Sequence, residues 1–219
     1  AIGGMARGVA HELGAPLSVI DGRARRLQRS SAEDSPQQRE FSAIRAQVAR
    51  LTSTVKQLLD YSRPAASTLR KTDPVQLVDS ALDAIKPEFE QTQIQLNSHY
   101  QADLPALYGA PARLELALLN LLRNALQAAN NQVDINLSYN EHHLLIRISD
   151  DGPGLPETNR AQLVEPFYTT KAPGEGTGLG LAIVQTIVEE HGGELLLSNR
   201  PEGGCQVCMQ LPAHKETNA

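Results

Sequence analysis

Apolar residues in the first sixty positions recur every three or four residues. Ile2, Met5, Val9, Leu13, Leu17, Ile20, Ala24 and Leu27 make one stripe, and Phe41, Ile44, Val48, Leu51, Val55, Leu58 and Leu59 make a second. That period places each series on one face of an α-helix. The polar run from Ser30 to Pro36 reads as the turn between them. Arg63-Pro64 ends the second helix, because proline disfavours the helical conformation of its predecessor. The result is a helical hairpin. Alone it has too little surface to bury both stripes, whereas two copies side by side form a four-helix bundle that does. The pattern therefore predicts a homodimer through the hairpin. The alternative is that both stripes pack on the rest of the chain.

Pro64 to Lys71 reads as a linker, and mixed patterns follow it. Pro74–Gln91 and Ala112–Asn130 are predicted helices, with Asp73 and Gly109–Pro111 as start signals. Thr177–Glu190 is another, stopped by His191-Gly192-Gly193. His191 is expected at that helix's C-terminus, where positive charge is favourable. Val133–Tyr139, Leu144–Ser149, Glu194–Ser198 and Cys205–Leu211 read as strands. This order predicts an α/β sandwich, one sheet covered by helices on one face.

The chain has 219 residues, enough for one or two domains. Lys+Arg 20 against Asp+Glu 25 leaves a net charge of −5, which argues against nucleic acid as a partner. Hydrophobic residues at 41% suffice for a packed core, built from aliphatic side chains because aromatics make up only 4%. No apolar run approaches the ~18 residues of a membrane span, so no membrane contact is expected within this stretch. The chain starts at Ala1 rather than Met and is expected to be a piece of something longer. Cys205 and Cys208 form a CxxC, but on a strand an offset of three sends side chains to opposite faces, and no second pair exists. They read as two small strand residues.

Four local patterns carry possible chemistry. Gly174-Glu175-Gly176-Thr177-Gly178-Leu179-Gly180 runs into a helix; bare N–H groups at a helix start suit a phosphate chain, and an ordinary flexible loop is the alternative. Asp150-Asp151-Gly152-Pro153-Gly154 follows a strand; its carboxylate can accept from a base amino group, or the segment is a plain turn. Asn120 and Asn124 share one helix face. Among leucines their amides need partners, which a hydrated Mg²⁺ and its phosphates, or neighbouring loops, would supply. His11-Glu12 lies off the apolar stripe between Gly8 and Gly14, with Pro16 expected to bend the helix. An uncrowded imidazole beside a carboxylate suits a nucleophile, or is a solvated surface pair.

Taken in order, these segments resemble the catalytic core of a bacterial-type sensor histidine kinase. His11 to Leu17 resembles the H box, Asn120 to Ala125 the N box and Asp150 to Gly154 the G1 box. Glu165 to Lys171 resembles the F box and Gly174 to Leu181 the G2 box. The resemblance spans nearly the whole chain. It implies an α+β architecture: a dimerising two-helix hairpin at 1–66, an ATP-binding α/β sandwich of the GHKL type at 67–213, and a tail at 214–219.

It further implies that His11 attacks the γ-phosphate of ATP through Nε2 while Glu12 takes or orients the ring proton. Asn124 would bind Mg²⁺ with Asn120 close by, and Asp150 would hold the adenine amino group. Gly152, Gly154 and Phe167 would belong to the nucleotide site. Gly176, Thr177, Gly178, Leu179 and Gly180 would form the floor under the phosphates, and Lys171 could meet the outer ones. Glu165 to Glu175 would be a nucleotide lid. The implied partner is the receiver domain of a response regulator, whose aspartate takes the phosphoryl group. The implied place is the cytoplasmic portion of a parent anchored in a bacterial inner membrane.

Two departures stand out. The family commonly carries Thr or Asn four residues beyond the phosphoacceptor, orienting water against the partner's phospho-aspartate; Ala15 has no hydroxyl or amide. Kinase activity with weak partner-phosphatase activity is expected. Gly109-Ala110-Pro111 stands where relatives often place an Asp. A dimeric scaffold without chemistry and an ATPase of the same superfamily are the competing functions. The set His11, Glu12, Asn124 and Asp150 favours the kinase over the first, and the hairpin favours it over the second.

Overall fold

The computed structural model describes residues 2–32, 35–61, 68–157, 160–171 and 176–213. The expected linker residues 64–67, Gly174 and Glu175, and the tail 214–219 lie outside the described residues. The chain divides into two compact units, Ala1–Pro64 with Thr169–Leu179, and Ala65–Tyr168 with Gly180–Ala219.

In the first unit, α1 (Ile2–Ser30) and α2 (Pro36–Tyr61) form the expected hairpin. Ser35 starts α2 by accepting the N–H of Gln38 at 3.2 Å, and Pro36 at the first helical position needs no donor. Leu17, Ala24 and Val48 are buried. Arg45 ties the helices together, donating to Asp21 at 3.0 Å and to Gln28 at 2.8 Å. Other stripe residues stay outside: Leu13, Ile20, Leu27, Ile44 and Leu51 are all exposed.

The second unit is built on a five-stranded sheet. Its strands are β2 (Gln95–Tyr100), β4 (Gln132–Asn140), β5 (His143–Asp150), β6 (Glu194–Asn199) and β7 (Cys205–Pro212). The order is β2-β4-β5-β7-β6, with β2 parallel to β4 and every other pair antiparallel. Strand alternation sorts the side chains. Val133, Ile135 and Leu137 of β4, Leu144, Ile146 and Ile148 of β5, and Met209 and Leu211 of β7 share one face and are buried. Helices α3 (Pro74–Glu90), α4 (Pro111–Ala128) and α5 (Gly180–Glu190) pack on the sheet. The opposite face carries Asp134, Asn136, Arg147 and Gln206. One face is therefore core and the other polar, as the sandwich reading expects.

Three strands escape the sequence pattern: β1 (Arg70–Thr72), β2, and β3 (Leu107–Gly109). The expected linker is shorter as a result, since Arg70 and Lys71 pair with Gly109 and Tyr108 in a two-stranded ribbon. The last helix also begins later than Thr177. Gly178 has φ +66, a left-handed conformation that a right-handed helix cannot include, so α5 starts at Gly180.

His191 lies at the end of α5, as expected. Its Nε2 accepts the N–H of Ala110 at 2.9 Å while Nδ1 lies 2.6 Å from the carbonyl of Ile187. The ring thereby ties the end of α5 to the residue that precedes α4. The cysteine reading agrees with the structure, in which Cys205 and Cys208 are buried free thiols on β7.

Candidate functional site

Asp150 ends β5 on the core-facing row, opposite Val133. A carboxylate there is unusual, and it is only 5% exposed. Its Oδ1 accepts two backbone donors, Gly152 N–H at 2.9 Å and Cys205 N–H at 3.3 Å. Burial nonetheless raises its pKa above the usual carboxylate value, against the lowering effect of those two hydrogen bonds. Among the described residues, Oδ2 has no hydrogen-bond partner. One oxygen is thus fixed by backbone donors, and the other is left as an available acceptor.

The turn after Asp150 fits tightly against its surroundings. A Cβ on Gly152 would lie 2.2 Å from the carbonyl oxygen of Ala128, at the end of α4, so only glycine permits this approach. Gly154 turns with φ +81 beside the side chain of Asn199.

Asn120 and Asn124 lie on α4 as the four-residue offset requires. Asn120 is buried, and its Nδ2 donates to the carbonyl of Leu116 at 2.8 Å. The start of α5 comes against both amides. A Cβ on Gly180 would lie 3.4 Å from Asn120 Oδ1 and 3.5 Å from Asn124 Nδ2. A helix N-terminus with unpaired N–H groups thus stands beside two amide side chains, a donor set suited to phosphate oxygens and their counter-ion. Among the described residues no group of three or more His, Cys, Asp or Glu could hold a metal.

The remaining predicted residues fall elsewhere. Phe167 is 67% exposed and has φ 70, a conformation costing an L-residue about 1–2 kcal/mol. In the other unit, Lys171 donates its backbone N–H to Thr169 Oγ1 at 3.2 Å. A Cβ on Gly176 would meet that same hydroxyl at 2.7 Å. The Thr177 hydroxyl donates to Gln57 Oε1 and accepts the N–H of Leu179 at 3.3 Å; Leu179 is fully buried. His11 and Glu12 are in α1, which runs unbroken through Pro16. Their side chains lie outside the described residues.

Sequence reasoning assigned no role to three residues that hold this site. Asp151 accepts the backbone N–H groups of Asn130 at 2.8 Å, Asn131 at 3.0 Å and Gln132 at 3.2 Å. These donors hold its carboxyl well below the usual range. Asn199 and Arg200, at the end of β6, bond to the backbone on the far side of the same loop. The only sequence signal was an Asp-Gly turn beside an Asn-Arg-Pro turn.

Two family models match. One, described as the His Kinase A (phospho-acceptor) domain, covers residues 1–67; the other, described as histidine kinase-, DNA gyrase B-, and HSP90-like ATPase, covers residues 109–215. The sensor histidine kinase CpxA of Escherichia coli is 32% identical over 216 residues, spanning 95% of this chain and 46% of that protein. The sensor histidine kinase ZraS of Salmonella typhimurium is 33% identical over 219 residues, spanning 97% of this chain and 46% of its own length. The chain thus spans about half the length of these curated relatives. The crystal structure of full-length ShkA in complex with AMPPNP superimposes with a TM-score of 0.80 at 24% identity, covering 99% of this chain and 47% of that one. The mycobacterial sensor histidine kinase MprB gives a TM-score of 0.60 at 26% identity, covering 68% of this chain and 99% of that one.

Proposed function

Because the chain belongs to the sensor histidine kinases, we propose that it is the ATP-dependent, autophosphorylating core of one, passing the phosphoryl group on to a response-regulator aspartate. On this reading Asp150 Oδ2 accepts the adenine amino group. Asn124, helped by Asn120, supplies the amide ligand for Mg²⁺, whose contribution when bound is to offset phosphate charge. The N-terminus of α5 at Gly180, with Gly176, Thr177, Gly178 and Leu179, lies along the phosphates, and Lys171 meets the outermost.

His11 Nε2 then bonds to the γ-phosphorus as the bond to the β–γ bridging oxygen breaks, and ADP leaves with that oxygen. The imidazole proton on Nδ1 passes to Glu12. Phosphoryl transfer of this kind asks the protein chiefly to position and to neutralise charge. The chain is proposed to act as a homodimer through its hairpin, in the cytoplasm, as the output part of a membrane-anchored sensor. Exposed Ala15 can hold no hydrolytic water, so the core favours phosphorylation of its partner over dephosphorylation.

The observation that carries the reading is the free Oδ2 of a buried, backbone-anchored Asp150 in the same unit as the two α4 amides that face the start of α5. Equilibrium binding of ATP with Mg²⁺ tests it. Asp150→Asn and Asn124→Ala are each expected to weaken binding; undiminished binding in both would refute the site.

A further inference from the structure

The loop that carries Asp150 is gripped by the β6–β7 turn. The side-chain amide of Asn199 makes two bonds to one residue of the loop: Oδ1 accepts the N–H of Leu155 at 2.6 Å, and Nδ2 donates to the Leu155 carbonyl at 3.1 Å. That is how a strand neighbour would pair, so one side chain replaces a rung of sheet. The next residue holds the other end. Arg200 Nη1 donates to the carbonyl of Asp150 at 3.4 Å.

Arg200 is itself fixed. Its Nη2 donates to Glu202 at 2.6 Å, and Nη1 lies 3.7 Å from Asp134 Oδ2. Its own backbone N–H donates to the carbonyl of Gly204 at 3.0 Å. Gly204, at φ +91, comes so close to Asp150 that a Cβ would fall 1.9 Å from its carbonyl oxygen. The adjoining Cys205 N–H reaches Asp150 Oδ1. The turn therefore touches the loop at the Asp150 carbonyl, the Asp150 carboxylate and the Leu155 backbone.

We propose that Asn199 and Arg200 are positioning residues for base selection, holding the Asp150–Leu155 loop so that Asp150 Oδ2 meets an exocyclic amino group. The inference rests on the assignment of Asp150 to the adenine amino group. It concerns aim rather than contact: neither side chain is placed against nucleotide. Losing the clamp lets the loop shift and costs the amino-group bond while the phosphate interactions remain.

A comparison of two nucleotides separates aim from general weakening. ATP presents a 6-amino donor to Asp150; ITP presents a 6-oxo group that cannot donate. In the 219-residue chain, Asn199→Ala and Arg200→Met are expected to weaken ATP about 3- to 10-fold, the range of one hydrogen bond, and to leave ITP within about 2-fold. Asn199→Asp, which keeps the acceptor for Leu155 N–H but turns a carboxylate oxygen toward the Leu155 carbonyl, should weaken ATP at least as much as Asn199→Ala and likewise spare ITP. It also serves if the alanine variant does not fold.

Equal losses for both nucleotides, or no loss for either, would overturn the proposal. Asp150→Asn is the reference. If it abolishes the preference for ATP over ITP while the turn variants keep that preference, the positioning role fails and the base assignment stands. If Asp150→Asn itself keeps the preference, the assignment fails first.

Discussion

Cys205 donates its backbone N–H to the carboxylate of Asp150 at 3.3 Å, and its own thiol is pushed up to about 12 by burial and by that carboxylate. The thiol therefore stays protonated at neutral pH and adds no charge beside Asp150. The charged groups that act on Asp150 are Asp151, which raises its pKa, and Arg200, which lowers it; burial outweighs both.

A pH dependence follows. The folded pKa of Asp150 lies above the unfolded value of about 3.9, so the native chain binds this proton more tightly. Its contribution to stability is greatest below about pH 4 and is lost as pH rises through the folded value. Nucleotide affinity runs the other way, because only the ionised carboxylate is a full acceptor. ATP binding measured from about pH 7 down to about pH 4 should weaken with a midpoint above 3.9. In Asp150→Asn the same titration should be nearly flat, with ATP about 10- to 100-fold weaker than in the native chain at pH 7.

Asp151 behaves oppositely. Its depressed pKa means that its stabilising bonds to the Asn130–Gln132 backbone are present above about pH 4 and lost as the solution is acidified further. Asp151→Ala should cost about 1–2 kcal/mol in urea unfolding at pH 7, similar to losing a helix-capping carboxylate. Asp151→Asn, which keeps one acceptor oxygen, should cost less.

The exposed stripe on the hairpin predicts association. Ile20 is 44% and Leu51 53% exposed within one chain, on helices whose buried apolar residues, among the described ones, are Leu17, Ala24 and Val48. Light scattering should give twice the chain mass for the native protein. Ile20→Asp combined with Leu51→Asp should give one chain mass, because two charges cannot be buried in a bundle seam without partners. A native monomer would contradict the four-helix reading.

Ala15 sets a gain-of-function test. With phosphorylated receiver domain and ADP present, Ala15→Thr should speed release of phosphate relative to the native chain, about 10-fold or more if the hydroxyl orients water. Fast release by the native chain with no gain in the variant would contradict the role given to this position.

The hairpin was legible because its stripes are long and strictly periodic. Leu17, Ala24 and Val48 are buried on them as the period requires. The central strands β4, β5 and β7 announced themselves by apolar runs. β2 did not, since Gln95-Leu96-Asn97-Ser98-His99-Tyr100 is mostly polar and is held by its parallel ladder to β4. The helix boundary at Thr177 was misplaced because propensity does not reveal φ +66 at Gly178.

The site was legible only as segments in order, and its support was not legible at all. Asn199 reaches Leu155 across 44 positions and Arg200 reaches Asp150 across 50. No local pattern records contacts so distant in sequence.

The most direct measurement is incubation of the chain with γ-labelled ATP and Mg²⁺, followed by acid and alkali treatment of the labelled protein. The account predicts label that is lost in acid, survives alkali and never forms in His11→Gln. Label that persists in His11→Gln, or nucleotide bound and hydrolysed with none left on the protein, would contradict it.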